Sequence, residues 1–126
     1  MKLPLIPVSF GELIDKFTIL QIKNEKIKDN NKLDIIKKEI NYLEPIINTL
    51  DLDLVIINDL KIINETLWIL EDSIREKENK KEFDNEFIEI SRMIYKTNDN
   101  RNKIKANIDK IFKSEITDIK SYITYK

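Results

Sequence analysis

Apolar residues recur at spacings of three and four along four stretches of the chain, the pattern of amphipathic helices that each bury one face. The third stretch is the most regular. Ile56, Leu60, Ile63, Leu67, Leu70 and Ile74 fall on one face, widened by Ile57 and by Trp68, the only tryptophan. Asn64, Glu71 and Arg75 lie within that same stripe, and Glu65 and Asp72 flank it. Residues 58–77 therefore read as the element around which the rest is organised, a helix with polar groups on the side it should bury.

Before the first helix, Pro4 and Pro7 predict an extended arm over residues 1–8, because proline disfavours helix at itself and at the preceding residue. Leu3, Leu5, Ile6 and Val8 are too apolar for a free tail and predict an arm laid across the body or a partner subunit. Ser9-Phe10-Gly11-Glu12 has the form of a capping box, with Val8 and Leu13 placed for a hydrophobic staple. The first helix should run to about Lys28 on Phe10, Leu13, Phe17, Leu20 and Ile27. Ile14, Ile19 and Ile22 point elsewhere, which predicts cover on more than one side.

Asp29-Asn30-Asn31 marks a turn, and Leu33, Ile36, Ile40, Leu43 and Ile47 make the second stripe. Pro45 should kink or end that helix near Tyr42. Residues 48–54 connect to the third helix, which should end near Lys80. Asp84 can cap a fourth helix built on Phe83, Phe87, Ile90, Ile94, Ile104, Ile108, Ile111 and Phe112. Its middle, residues 95–102, is polar throughout. Either it divides this helix in two, or it places Arg101 and Thr97 in the apolar stripe with Asn98 at the edge. Residues 114–126 carry Ile116, Ile119, Tyr122, Ile123 and Tyr125, a tail too apolar to be left in water.

These elements predict an all-α single domain over residues 1–126: an antiparallel bundle of four main helices, with arm and tail wrapped across it. One glycine and three prolines are too few for a turn-rich β protein. No apolar run reaches transmembrane length and the prolines at the N-terminus do not suit a signal peptide, so the expected setting is cytoplasmic, with no membrane partner. The 22 basic and 23 acidic groups nearly cancel, which argues against a nucleic-acid surface. Cysteine and histidine are both absent. Thiol and imidazole chemistry are thereby excluded, and any metal would be a hard cation such as Mg²⁺ held by carboxylates. The expectation is that no cofactor is required. Isoleucine, lysine and asparagine are over-used, in keeping with AT-rich codons, so single exposed lysines or asparagines carry no message.

Val8-Ser9-Phe10-Gly11-Glu12-Leu13-Ile14-Asp15-Lys16, followed by Thr18-Ile19-Leu20 and Ile22-Lys23, resembles the opening of an uncharacterised family of small helical bacterial proteins, a domain of unknown function. Asn64-Glu65, Leu67-Trp68, Glu71-Asp72 and Ile74-Arg75 resemble that family's middle block. Tyr95, Thr97-Asn98-Asp99, Arg101 and Lys120-Ser121-Tyr122 resemble its end. The resemblance implies one all-α domain in a bacterial protein, and no activity.

Three chemistries compete for the polar groups. Glu12, Asp15, Glu65, Glu71 and Asp72 could form an acidic metal site, and Glu12/Asp15 and Glu86/Glu89 have a three-residue ligand spacing. However, Glu12 is claimed by the capping box, and Glu86 and Glu89 face away from their stripe. Arg75, Arg101, Lys16 and Lys120 could form a small anion pocket. The third reading makes Glu71, Arg75 and Arg101 a buried ion network, with Glu71 and Arg101 within reach of each other or of Arg75, since unpaired charge in an apolar stripe is intolerable. The candidate ligand-binding set is accordingly Lys16, Asn64, Trp68, Glu71, Asp72, Arg75, Asn98 and Arg101. The leading functional expectation is a non-enzymatic binding or assembly module that forms homo-oligomers, motivated by Ile14, Ile22, Ile62, Ile69, the arm and the tail. The alternative is a small enzyme or binding protein for an anionic ligand, a nucleotide or sugar-phosphate, with or without Mg²⁺.

Overall fold

The computed structural model describes residues 1–126, and they are all-α. Four helices follow in order: α1 (Phe10–Lys26), α2 (Asn30–Ile47), α3 (Leu54–Asn79) and α4 (Asn85–Ile111). Each begins at an oxygen-bearing cap. Ser9 accepts from the Glu12 amide, Asp29 from those of Asn31 and Lys32, Asp53 from Val55, and Asp84 from Phe87. The capping box is half made, because the Glu12 carboxylate takes Lys105 Nζ at 2.9 Å instead. Helices α3 and α4 each end two residues before a left-handed lysine, Lys81 (φ 57°) and Lys113 (φ 51°). Glu82 N then bonds Lys77 O and Ser114 N bonds Asp109 O, closing both helix ends where glycine is the commoner choice.

The centre of the molecule is α1 rather than α3. Helix α1 packs against all three others, α3 and α4 pack on each other, and α2 lies beside α1 alone. This is why Ile14 and Ile22 are buried along with Phe17 and Leu20, as the two-sided pattern of α1 predicted. Short connections make the bundle up-down-up-down, so α1 and α3 run the same way and α2 and α4 run against them. One end is filled by Ile14, Phe17, Ile47, Leu60 and Ile108, with Phe10, Leu43, Ile56, Ile104 and Phe112 packed around them. Phe10 and Phe112 stack there with ring centroids 4.8 Å apart.

Two expectations are corrected, and the alternative left open for residues 95–102 is decided. Pro45 does not end α2 near Tyr42, and the helix runs on to Ile47. The carbonyl it leaves free belongs to exposed Asn41, and burial of Ile47 holds the last turn in place. The polar run 95–102 is continuous helix within α4, so Arg101 does enter the interior face. The arm is not laid across the body: Leu3, Ile6 and Val8 are exposed, and Leu5 is 96% so. The tail folds back along α4, held by Asp118 near Lys105 (3.8 Å) and by Tyr125, whose hydroxyl donates to Asp99 Oδ2 at 2.5 Å. Its apolar side chains still face outward, Ile123 at 95% exposure.

Candidate functional site

Asp15, Thr18 and Ile22 sit at i, i+3 and i+7, on the face of α1 turned toward α3 and α4. Asp15 is only 1% exposed, so its carboxylate needs close partners. Arg101 supplies most of them. Its Nε donates to Asp15 Oδ1 at 3.0 Å and its Nη2 donates to Oδ2, a two-pronged grip. Asn64 Nδ2 donates to Asp15 Oδ1 at 2.9 Å and to Thr18 Oγ1 at 2.9 Å, and the Thr18 hydroxyl donates to Asp15 O at 2.8 Å. Arg101 Nη1 donates to Asn98 Oδ1 at 3.1 Å. The hydrogen bonds to Asp15 raise the Arg101 guanidinium above its ordinary range, against burial, which lowers it.

Toward the apolar end, Lys105 continues this polar seam. It is buried and lies among Glu12 (2.9 Å), Asp15 (3.8 Å) and Asp118 (3.8 Å). One turn further on, the Gly11 amide donates to buried Asp109 Oδ1 at 2.6 Å. The single glycine is what lets α1 come this close, since a Cβ there would meet Lys105 O at 2.5 Å. A shallow concavity of about 640 Å³ lies between the end of α4 and the tail, lined by Lys105, Lys110, Lys113 and Lys120 with Asp109 and Asp118. Lys120 is paired there with Asp118 at 2.8 Å.

The opposite end of the bundle is open for a reason of length. Helix α1 has 17 residues, whereas α3 and α4 have 26 and 27, so the α3–α4 hairpin continues past the end of α1. Where α1 runs out, a cleft of about 680 Å³ forms between its last two turns and the hairpin. Asn64, Trp68, Glu71, Asp72 and Arg75 line it from α3, and Asn98 and Arg101 from α4. Ile19, Ile22 and Lys23 close it from α1, and Leu67, Ile94 and Tyr95 supply further apolar and aromatic wall.

Seven of the eight sequence candidates therefore meet in one place. Lys16 does not. It lies on the outer side of α1, paired with Glu39 of α2 at 2.8 Å. The predicted ion network is also rearranged. Glu71 pairs with Arg75, one turn away, but both stand at the cleft rim, the Arg75 side chain 71% exposed. The buried carboxylate that Arg101 requires is Asp15, not Glu71. Asp15, Thr18, Lys23 and Tyr95 were absent from the candidate set. The signal for Asp15 was its place seven residues before Ile22 on a face already expected to be covered.

Glu12 and Asp15, the acids with ligand spacing, are drawn to Lys105 and Arg101, and Glu86 to Lys77 at 3.1 Å. No group of three or more carboxylates converges to hold a metal ion. No helix is long and apolar enough to cross a membrane. Comparison with curated proteins and with solved structures finds no match. What does match is a sequence family whose profile spans residues 4–125, from within the exposed arm through the cleft-lining blocks to Tyr125: the chain belongs to the family of unknown function DUF6165.

Proposed function

We propose that this protein is a non-enzymatic binding module whose cleft between α1, α3 and α4 takes a small polar ligand. One observation carries the reading: polar and aromatic groups from three helices converge on a concavity of ligand size, over a floor that a buried hydrogen-bond network holds rigid. A cytoplasmic bacterial setting is proposed with it. A thermal-shift screen with nucleotides, sugar nucleotides, nucleosides and simple sugars, with and without Mg²⁺ or Mn²⁺, tests the reading. A cleft ligand should raise the melting temperature in a saturable way, by the equivalent of about 2.7 kcal/mol at 100 times its Kd. It should also perturb Trp68 fluorescence. A screen in which no compound does either at millimolar concentration removes the reading.

Self-association is the second part of the proposal, favoured by the arm and tail. They leave the same end of the bundle, beside the Phe10–Phe112 stack, and carry Leu3, Leu5, Ile6, Ile119 and Ile123 exposed. Ile62 and Ile69 are exposed as well, whereas Ile14 and Ile22 are buried within the single chain and no longer argue for a partner. Sedimentation should show a dimer or larger species at about tens of micromolar, the range in which contacts of modest size associate. A clean monomer at that concentration would end the oligomer proposal and leave the cleft untouched.

A further inference from the structure

The floor of the cleft sets a hydrogen-bond acceptor beside donors whose charge is already neutralised. Asn64 is 6% exposed, and both its N–H bonds are engaged, one with Asp15 and one with Thr18. The orientation of this amide follows from its partners: a carboxylate only accepts, and the Thr18 hydrogen is committed to Asp15 O. The amide oxygen therefore has no protein donor. No fully buried side-chain N or O lacks a partner, so this oxygen keeps some exposure, and the cavity that Asn64 lines is the cleft.

Arg101 sits next to it, sharing Asp15 Oδ1 with Asn64. Of its five N–H bonds, two go to Asp15 and one to Asn98, which leaves one on each terminal nitrogen. Asp15 lies directly against the guanidinium, so little net positive field reaches the cleft. At the rim, Lys23 and Arg75 are offset by Glu71 and Asp72. A phosphate or carboxylate would gain little Coulombic attraction here and would meet the lone pairs of the Asn64 oxygen.

We infer that the cleft takes an uncharged ring ligand with a hydrogen-bond donor and an acceptor on neighbouring atoms. The donor goes to the Asn64 oxygen, the acceptor takes the free Arg101 N–H bonds, and the apolar ring face lies on Trp68 and Tyr95. The inference rests on the binding reading above and replaces the anionic ligand of the alternative sequence reading. The N–H/C=O edge of a nucleobase and the adjacent hydroxyls of a sugar ring share this chemistry.

The test uses the full chain, ¹⁵N-labelled, titrated with uridine, methyl glucoside or inorganic phosphate. The Trp68 indole, Asn64 amide and Arg101 guanidinium signals are followed by NMR. One neutral probe should shift all three saturably, and which one does so identifies the source of the chemistry. Its affinity should change by less than about twofold between low and high salt, as screening barely touches an uncharged ligand. Tyr95→Ala, at a half-exposed position, should fold and weaken binding by up to about tenfold. If phosphate moves these signals and neither neutral probe does, the inference is overturned while the binding reading stands. If none of the three moves them, the inference falls, and the wider screen decides whether the binding reading falls with it.

Discussion

Arg101→Met is expected to destabilise the protein by about 3–5 kcal/mol, the cost of stranding a buried carboxylate. Asp15 would keep only Asn64 at 2.9 Å and the more distant Lys105 at 3.8 Å, in a site that admits almost no water. Glu71→Ala should cost under about 0.5 kcal/mol, since its pair with Arg75 is a surface one-turn contact screened by solvent. The contrast between the two variants is the sharp part of the expectation. Replacing Asp15, Asn64 and Arg101 together with apolar residues of similar volume should restore most of the lost stability, because no buried polar group is then left unpaired. Urea denaturation of the four proteins measures all of this. An Arg101→Met cost below about 1 kcal/mol, or a Glu71→Ala cost equal to it, would contradict the assignment of Asp15 as the carboxylate that matters.

Gly11→Ala carries the second large effect, and two terms of opposite sign compete in it. Alanine favours helix over glycine by about 1 kcal/mol. Against this, the new Cβ would stand 2.5 Å from the Lys105 carbonyl oxygen and 3.0 Å from Asp109 Oδ1. The first of these is backbone inside a helix and cannot swing aside, so α1 and α4 must separate. That separation stretches the 2.6 Å Gly11–Asp109 hydrogen bond and loosens the Phe10–Phe112 stack. The steric term wins, and a net loss of about 1–3 kcal/mol is expected, with Gly11→Val worse. Thermal denaturation checks it: a Gly11→Ala protein that melts at or above the wild-type temperature would show that the helices can part without penalty.

The helices could be read from the sequence because their evidence is local. Spacings of three and four, together with Ser9 and Asp84 as caps, depend on neighbours a few residues away. Pro45 misled for a reason of the same scale, since a proline in the last turn removes one hydrogen bond and spares the rest. The cleft residues were also within reach, because Asn64, Trp68 and Glu71 lie on the α3 stripe and Asn98 and Arg101 on α4. The partner of Arg101 was not. An angular argument says that a charge is buried, but not which of several acids on other helices stands opposite. Glu71 lies within the α3 stripe, whereas Asp15, three residues after Glu12, has the spacing of a metal ligand. Glu71 ends half-exposed because α1 is too short to cover it, and that follows from the relative lengths of three helices, not from the stripe of α3.

The placement of α1 at the hub has a consequence for the order in which the chain can acquire its shape. Helix α1 is synthesised first, yet the groups that satisfy it arrive last: Asp15 waits 86 residues for Arg101, and Gly11 waits 98 for Asp109. The nearest companion, α2, covers one side only and offers nothing to the Asp15 carboxylate. A ribosome-bound chain that ends before α4 therefore holds its central helix with one side uncovered and the Asp15 carboxylate with Asn64 but no cation beside it. The contacts that finish the molecule are those closing the longest loops, whose entropy cost must be met before any reward is gained.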